Sequence, residues 1–285
     1  MTQRILVPYD SSEQADYALS HALESFDDAE FVLLHVIEPF ADHTEAGGYE
    51  AVRYRQVLES TEAMLDDVAT EHGEADIETV AQYGRPVHWI LRSIEQNGID
   101  HVVIGSHGRD GARRLLLGSV AETVARRSPV PVTVVRKPPD GAETSEGVLV
   151  PFDASASARR ALEYALEAFD ESEVTVLYVA YPAGTGQRDT DAVFEVLENW
   201  DEQRADHVSS ILELAEEIAD EYDRTVETKN VDGEPAPTIV EYADENGIDH
   251  VVMGSTGRDG LTRLLLGSVA ETVIRRSPVS VTVVK

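Results

Sequence analysis

Short apolar runs rich in β-branched residues alternate along the chain with longer stretches whose apolar residues recur at helical spacing. The runs predict strands at 4–8, 30–36, 77–81, 101–105, 131–135, 147–151, 173–179, 225–231, 250–254 and 280–284. The stretches between them predict helices at 12–25, 50–72, 86–97, 118–128, 155–168, 190–222, 235–246 and 267–277. Strands that are apolar throughout and separated by helices are typical of a parallel sheet covered on both faces, so the pattern predicts an α/β fold.

Two parts of the chain repeat almost unchanged. Residues 97–135 and 246–284 differ at six of 39 aligned positions, and residues 5–10 are similar to residues 148–153. Each copy is about 140 residues long, which is enough for one domain with its own core. The repeat therefore predicts two tandem domains of the same fold.

The stretch between the copies has the composition of a linker. Residues 138–146 contain two prolines, a glycine and small polar residues, so they separate a predicted first domain at 1–137 from a second at 147–285. Residues 39–49 and 181–189 each contain two glycines and a proline, and both are predicted to be loops that follow the second strand of their copy.

The net charge of the chain limits the kinds of molecule that it can bind. The chain of 285 residues has a formal net charge of −31, and its 23 basic residues include only three lysines, Lys137, Lys229 and Lys285. Such a surface is unsuited to nucleic acid or to an anionic membrane. Because the acids are spread over helix faces and the apolar pattern is intact, we expect a folded protein whose hydrated surface is suited to high salt, as in a halophile. An ordinary acidic cytosolic protein is the alternative.

The lack of cysteine limits the reactions that the protein can catalyse, and the short apolar runs limit where in the cell it can be located. The chain has no cysteine, which excludes disulfides, thiolate catalysis and cysteine-ligated zinc. No apolar run approaches the roughly 20 residues that span a bilayer, and no basic-then-apolar segment precedes the first strand. We therefore expect a soluble cytoplasmic protein.

An aspartate follows the first strand of each copy. In an open parallel sheet, ligands bind beyond the carboxyl ends of the strands, where the strand order reverses. Asp10 and Asp153 stand at that place and have carboxylates suited to a ribose hydroxyl or a base amine. The alternative is that they cap the next helix, although Ser11, Ser12 and Ser155 also offer caps. The sequence leaves both roles open.

A glycine-rich loop with the spacing G-x2-G-x9-G follows the fourth strand of each copy. Its glycines are Gly105, Gly108 and Gly118 in the first copy, and Gly254, Gly257 and Gly267 in the second. Glycine at a strand end leaves room for a ligand to approach the backbone, since no Cβ intervenes. The loop leads into a helix, and the free N–H groups of a helix start favour an anion, so the pattern indicates a phosphate site made twice.

A serine and a glutamate at capping-box spacing open the next helix of each copy. Ser119 with Glu122, and Ser268 with Glu271, are predicted to be the N-cap and N3 residues of these helices. This structural role would account for both serines and both glutamates. It is compatible with phosphate binding, because the remaining N–H groups of the same helix end stay available.

Positive charge clusters beside the glycines, and in a chain with so few lysines this favours a phosphate site over the alternative that the arginines neutralise the acidic surface. The basic residues there are Arg109, Arg113, Arg114, Arg258 and Arg263. His107 is aligned with Thr256 in the second copy, which favours a solvent-facing loop residue over a phosphate contact or a metal ligand. The sequence lacks the P-loop, the dinucleotide fingerprint after the first strand, HExxH, EF-hand and G-x-S-x-G motifs, and no nucleophile–base–orienter set is evident.

These motifs together resemble the universal stress protein family in a tandem two-domain form. The resemblance rests on VPYDSS after the first strand, LLHVIE at the second strand and G-x2-G-x9-G-S before the last helix, and it covers both copies nearly end to end. It implies two doubly wound domains, each with a five-stranded parallel sheet in the order 3-2-1-4-5 and helices on both faces. It also implies membership of the ATP-binding subgroup.

The resemblance implies where a nucleotide would lie. Contacts to the adenosine end would come from Pro8, Asp10 and Val36, and in the second copy from Pro151, Asp153 and Val179. Contacts to the phosphates would come from Gly105, Gly108, Arg109, Gly118, Ser119 and Val120, and in the second copy from Gly254, Gly257, Arg258, Gly267, Ser268 and Val269. The copies differ after the second strand, where Glu38 is aligned with Tyr181.

The resemblance further implies a nucleotide-responsive module of the stress response and not a fast catalyst. ATP is the expected ligand, with AMP and ADP as alternatives and Mg²⁺ bridging phosphate oxygens, since neither loop contains a lysine. The last strands, 131–135 and 280–284, are expected to pair antiparallel within one chain, and a homodimer and a protein partner remain open. The alternatives are slow ATP hydrolysis or phosphoryl transfer, and a ligand-free interaction scaffold.

Overall fold

The computed structural model describes residues 2–38, 49–73, 75–108, 117–137, 147–180, 200–256 and 266–285. The chain divides into two compact units, Met1–Lys137 and Pro138–Lys285. Within its described residues, each unit contains five strands and four helices in the same order. The predicted loops 39–49 and 181–189, and the first part of the helix predicted at 190–222, fall almost entirely outside the described residues.

Strands and helices alternate in the first unit. Its strands are β1 (Arg4–Pro8), β2 (Glu30–Ile37), β3 (Asp76–Tyr83), β4 (His101–Gly105) and β5 (Val132–Val135). Its helices are α1 (Glu13–Ser25), α2 (Tyr49–Glu71), α3 (Pro86–Gln96) and α4 (Ser119–Arg127).

The second unit repeats this order. Its strands are β6 (Gly147–Pro151), β7 (Glu173–Ala180), β8 (Glu227–Asp232), β9 (Ile248–Gly254) and β10 (Ser280–Val284). Its helices are α5 (Ala156–Ala168), α6 (Trp200–Glu221), α7 (Pro235–Glu245) and α8 (Ser268–Arg276).

The sheet of the first unit is ordered β3-β2-β1-β4-β5, and these neighbours pair in parallel. The chain winds outward from β1 to β3 on one side, then crosses to β4 and β5 on the other. The order therefore reverses between β1 and β4. This reversal separates the loops that leave the carboxyl ends of the two strands and creates a cleft there.

The second unit has the equivalent order, β8-β7-β6-β9-β10, again with parallel neighbours. Its reversal lies between β6 and β9, so the second cleft is at the carboxyl ends of those strands. The predicted α/β fold with a parallel sheet is confirmed.

The central strands are apolar throughout because helices cover both of their faces. Ile5, Leu6 and Val7 of β1 are fully buried, and so are Leu149 and Val150 of β6. Helices α1 and α5 add alanine-rich faces to these cores, which lets them lie close to the sheet. The core therefore fixes the carboxyl ends of the central strands, where the clefts are.

Helix starts follow the capping rules at four places. The hydroxyl of Ser12 accepts the N–H of Ala15 at the start of α1, and Ser155 does the same for Ala158 in α5. Helices α3 and α7 each begin with a proline, whose fixed φ suits the first helical position. In the part of the chain that the structure describes, no helix is long and apolar enough to cross a bilayer.

Candidate functional site

Asp10 lies in the turn between β1 and α1, at the edge of the first cleft. The N-cap of α1 is Ser12, whose Oγ accepts the N–H of Ala15 at 3.2 Å. Asp10 Oδ1 accepts the N–H of Ser12 at 3.1 Å, so the aspartate holds the turn and does not cap the helix. Ser11 between them has a φ of 60°, in the left-handed region, which turns the chain sharply from the strand into the helix.

The second copy builds the same turn. Asp153 Oδ1 accepts the N–H of Ser155 at 3.0 Å, and Ser155 Oγ accepts the N–H of Ala158 at 3.1 Å. Ala154 takes the left-handed conformation, with a φ of 62°. Both copies therefore form the same turn, with a different residue between the aspartate and the capping serine.

Tyr9, next to Asp10, anchors the end of β1. Its ring is 7 % exposed, and its hydroxyl donates to Asp16 Oδ1 at 2.5 Å. Burial, together with this hydrogen bond, raises the pKa of Tyr9 above its usual value. The phenol is therefore neutral, and it ties the strand end to the first turn of α1.

Val36 offers backbone groups to the cleft from the neighbouring strand. The N–H of Tyr9 donates to the carbonyl of Leu34 at 2.8 Å, which shows that the Leu34 backbone groups face β1. Backbone groups alternate sides along a strand, and Ile37 accordingly accepts from Gly84 on the opposite side at 2.9 Å. The N–H and C=O of Val36 therefore point past the end of β1.

Val179 has the same orientation in the second unit. The N–H of Phe152 donates to the carbonyl of Leu177 at 2.9 Å, and the carbonyl of Ala180 accepts from Gly233 at 2.9 Å on the other side. The Val179 backbone groups thus extend beyond Pro151, the last residue of β6. Pro8 is the last residue of β1 in the same way.

Gly108 connects the glycine-rich loop to Asp10. A Cβ placed on Gly108 would lie 2.5 Å from Asp10 Oδ2. Any side chain at this position would displace the carboxylate, so glycine allows the loop backbone and the aspartate to share one side of the cleft. Gly108 and Asp10 are 98 positions apart in the sequence, and the strand order brings them together.

Gly105 and Gly254 are glycine for a reason that differs from the predicted one. A Cβ on Gly105 would lie 2.8 Å from the carbonyl oxygen of Gln14, and one on Gly254 would lie 2.7 Å from that of Ser157. The missing side chain lets α1 and α5 pack directly on β4 and β9. The expectation that these glycines admit a ligand is wrong for the Cβ side, because a helix occupies that space.

The predicted capping boxes are also wrong. The N-cap of α4 is Gly118, whose carbonyl accepts the N–H of Glu122 at 2.9 Å, and Ser119 is the first helical residue. In the second copy Gly267 is the N-cap of α8, Ser268 is the first helical residue, and Glu271 pairs with Arg275 at 3.1 Å.

The reason for the shift is close backbone packing. The N–H of Gly118 donates to the carbonyl of Ser106 at 2.7 Å, and a Cβ on Gly118 would lie 3.2 Å from the Cα of His107. Glycine is therefore the residue that fits the N-cap position. Neither N-cap glycine supplies a side-chain acceptor for the first N–H groups of α4 and α8.

The cleft of the first copy thus combines a carboxylate, a bare glycine backbone and a helix start. Ser119 is exposed and Val120 is half-buried in the first turn of α4, and Ser268 and Val269 are placed alike in α8. Donors of this kind suit an anion, since the helix start carries partial positive charge. Several predicted site residues lie outside the described residues, namely Arg109, Gly257 and Arg258, as do Arg113, Arg114 and Arg263.

Sequence reasoning missed the residues beneath the glycine loop, Gln14 and Ser157. They are aligned in the two copies, each in the first turn of its helix. Ser157 is 4 % exposed, and its Oγ accepts the N–H of Thr256 at 3.3 Å. His107, which is aligned with Thr256, instead places Nδ1 3.2 Å from Ser106 Oγ. The differences between Gln14 and Ser157, and between His107 and Thr256, were the signal in the sequence that the two clefts differ here.

Comparison with known proteins agrees with this architecture. Residues 1–136 and 145–285 both match the universal stress protein family. The chain is 31% identical over 148 residues to the universal stress protein MJ0531 of Methanocaldococcus jannaschii, a match covering 51% of this chain and 85% of that protein. It is 27% identical over 297 residues to a universal stress protein of Mycolicibacterium smegmatis, covering 99% of this chain and 96% of that protein.

A solved structure has a similar fold over nearly the whole chain. The crystal structure of a universal stress protein from Archaeoglobus fulgidus DSM 4304 superposes with a TM-score of 0.66 at 27% identity, covering 99% of this chain and 96% of that one. Since the family matches both halves, the chain belongs to the universal stress protein family and carries two tandem copies of its domain.

Proposed function

We propose that each cleft binds an adenine nucleotide, with ATP as the ligand, and that the chain belongs to the ATP-binding G-x2-G-x9-G-S subgroup. The observation that carries the proposal is the contact between Gly108 and Asp10. Because of this contact, the Asp10 carboxylate lies beside the backbone of the glycine-rich loop. This supports a site in which the carboxylate bonds the ribose and the loop backbone holds the phosphates. The start of α4, with glycine as its N-cap, supplies further N–H donors on the same side.

The adenine end would lie against the strand ends. The backbone N–H and C=O of Val36 extend beyond β1, and they are the donor and acceptor that an adenine edge requires. In the second copy Val179 offers the same pair. This arrangement supports the sites predicted around Pro8 and Pro151.

The phosphates would be held by backbone groups and arginines in place of a lysine. Among the described residues there is no group of three or more His, Asp or Glu side chains suited to a metal ion. A Mg²⁺ ion would therefore be held chiefly by phosphate oxygens, which it commonly bridges. Arg109 and Arg258 are the residues that we expect to neutralise the remaining phosphate charge.

The biological role that we propose is a nucleotide-responsive regulatory module in the cytoplasm. Nucleotide binding would favour one arrangement of the segments 39–49 and 106–117, most of whose residues lie outside the described ranges, and a protein partner would recognise that arrangement. A ligand-dependent change of this kind requires that the nucleotide favour one loop arrangement over another. Slow hydrolysis or phosphoryl transfer and a ligand-free scaffold are the competing functions.

Native mass spectrometry of freshly purified protein separates these functions. Co-purified ATP supports the regulatory module, whereas ADP supports slow turnover and an empty protein supports a scaffold. The same preparation can be melted with added ATP, which should stabilise the fold by about 2.7 kcal/mol at a hundredfold excess over Kd.

A matched pair of variants assigns any such shift to the clefts. Asp10→Asn with Asp153→Asn removes one carboxylate from each cleft while leaving an amide oxygen for the turn. Asp67→Asn with Asp220→Asn removes two exposed charges on helices α2 and α6. We expect about tenfold to a hundredfold weaker ATP binding from the first pair only, because one hydrogen bond to a charged group is lost. Equal effects from both pairs would contradict the proposed sites.

We also propose that the last strands of the two copies pair antiparallel within one chain. Both strands consist mainly of apolar residues, which suits a buried edge. Cysteines introduced at Val134 and Val283 test this pairing. A disulfide forms when their Cα atoms lie within about 7 Å, and consistent failure to form one under oxidising conditions would reject it.

A further inference from the structure

The second unit contains a cavity of about 350 Å³ at the amino ends of its strands, whereas the cleft proposed to bind nucleotide is at their carboxyl ends. Its wall includes the first residues of β6, β7 and β8, which are Gly147, Glu173 and Glu227. Asn246, the C-cap of α7, also lines it. The cavity therefore faces the carbonyl end of a helix and two carboxylates, and both features favour a cation.

In the first unit an arginine side chain occupies the corresponding place. Arg4 is the first residue of β1, and its Nη1 donates to the carbonyl of Asn97, the C-cap of α3, at 2.8 Å. Its Nη2 bonds Glu78 Oε2, and its Nε lies 3.6 Å from Glu30 Oε2. The guanidinium thus connects a helix end to two strands.

The residues that hold this guanidinium are all present in the second unit. Glu30 pairs with Arg4 in the sheet register, as Glu173 pairs with Gly147. Glu78 lies opposite Val32 in β2, as Glu227 lies opposite Thr175 in β7. Asn97 and Asn246 each follow the last residue of the equivalent helix.

Among the four residues of this contact, only the arginine is replaced, and Gly147 at its position has no side chain. A Cβ at that position would lie 2.7 Å from the carbonyl oxygen of Gly247, so a larger residue could not be accommodated without movement.

Lys229 compensates for part of the lost charge. Its Nζ lies 2.5 Å from Glu227 Oε1, and its side chain is 42% exposed, compared with 30% for Arg4. The lining then carries two carboxylates and one ammonium, a net negative charge. A single ammonium paired with Glu227 does not reproduce the planar fork with which Arg4 bonds Asn97 and Glu78 and forms an ion pair with Glu30.

We propose that this cavity binds a small organic cation that carries a guanidinium group, in the position that the Arg4 guanidinium takes in the first unit. The ligand would bond Glu173 and the Asn246 carbonyl and share Glu227 with Lys229. Tyr242 lines the cavity where the first unit has Ser93, and it adds an aromatic surface suited to a planar cation.

The test is titration of the full-length protein with methylguanidinium at fixed ionic strength, followed by amide NMR and calorimetry. We expect saturable binding with shifts at the amides of Gly147 and Gly247, and at least fivefold weaker binding of methylammonium, which cannot bridge the acceptors. Absence of saturable binding, or equal binding of the two cations, would overturn the proposal.

Variants distinguish binding in the cavity from nonspecific attraction of a cation to an acidic surface. Glu173→Gln should weaken binding at least tenfold, whereas Glu171→Gln, an exposed neighbour outside the cavity lining, should leave it unchanged. Equal affinities in these two variants would contradict the assignment. Arg4→Gly should add a second methylguanidinium site in the first unit, and the glutamine variants keep the test decisive if that variant does not fold.

Discussion

At the residue scale, the glycines of one motif leave room for different neighbouring atoms. Gly105 leaves room for the backbone of Gln14, whereas Gly108 leaves room for the carboxylate of Asp10. The spacing of the motif predicts where backbone is exposed, but it does not indicate which atom lies where each Cβ would be. That information depends on contacts between residues about 90 or more positions apart, which local sequence does not contain.

Because of this difference, we predict that alanine at Gly105 mainly lowers stability, whereas alanine at Gly108 mainly weakens nucleotide binding. Gly105→Ala should lower the free energy of unfolding by about 1–3 kcal/mol, because the new Cβ meets rigid helix backbone. Gly108→Ala should cost less stability and mainly weaken nucleotide binding, because its Cβ displaces the Asp10 carboxylate. Chemical denaturation and ATP titration of both variants check this. A Gly105→Ala protein of normal stability would contradict the packing role.

A buried histidine makes stability depend on pH. His101 is 3 % exposed, with Nε2 2.8 Å from Thr133 Oγ1, and burial lowers the pKa of His101 to about 3 and that of His21 to about 4. The unfolded chain therefore binds more protons than the folded protein below about pH 6.5. The stability that neutral histidine provides is present above that pH and is lost as pH falls toward the folded values.

We therefore expect His101→Gln to lose less stability on acidification than the wild type. The difference in unfolding free energy between pH 7 and pH 4.5 should shrink by about 2 kcal/mol. His88→Gln on the exposed face of α3 serves as the control and should keep the wild-type slope. Identical pH profiles for all three proteins would show that His101 does not set the dependence.

At the scale of the element, the helices that follow the first and fourth strands of each unit begin with different kinds of N-cap. A glycine N-cap on α4 and α8 leaves the first N–H groups without a side-chain acceptor from that cap, whereas α1 and α5 have capping serines. The two kinds of start therefore suit different purposes, anion binding in one case and stability in the other.

Two serine-to-alanine substitutions test this distinction. Ser12→Ala should cost about 1 kcal/mol of stability through loss of the cap, and Ser119→Ala should cost under about 0.5 kcal/mol. Thermal and denaturant unfolding give both values. A cost at Ser119 equal to that at Ser12 would restore the capping role that the sequence predicted.

Most element positions could be predicted from the apolar pattern, and the differences have specific causes. Strand β8 begins at Glu227 instead of 225, because Arg224 is held by the carbonyls of Leu166 and Ser172 at 3.0 and 2.9 Å. Strand β9 begins at Ile248, where Gly147 permits pairing. Both causes are contacts between distant residues. The clefts followed from the strand order, but the packing behind the glycines did not.

At the scale of the whole molecule, a net charge of −31 acts on stability in a way that no single contact does. Like charges repel across a folded surface, and salt screens that repulsion beyond a Debye length of about 10 Å at 0.1 M. We infer that screening of this repulsion by salt stabilises the fold.

The melting temperature should therefore rise by several degrees as NaCl increases from near zero to about 0.5 M, where screening dominates. Sucrose at matched osmolality controls for exclusion of cosolute from the protein surface. A melting temperature independent of NaCl over this range would contradict the inference.

The proposed function also concerns the whole molecule, because each of the two clefts is expected to bind one nucleotide. Calorimetric titration of ATP into the full-length protein with Mg²⁺ tests it most directly. We predict saturable binding of two ATP molecules per chain, and we expect Asp10→Asn or Asp153→Asn alone to weaken one of the two sites about tenfold to a hundredfold and leave the other unchanged. Heat of dilution only, or binding that neither variant changes, would contradict it.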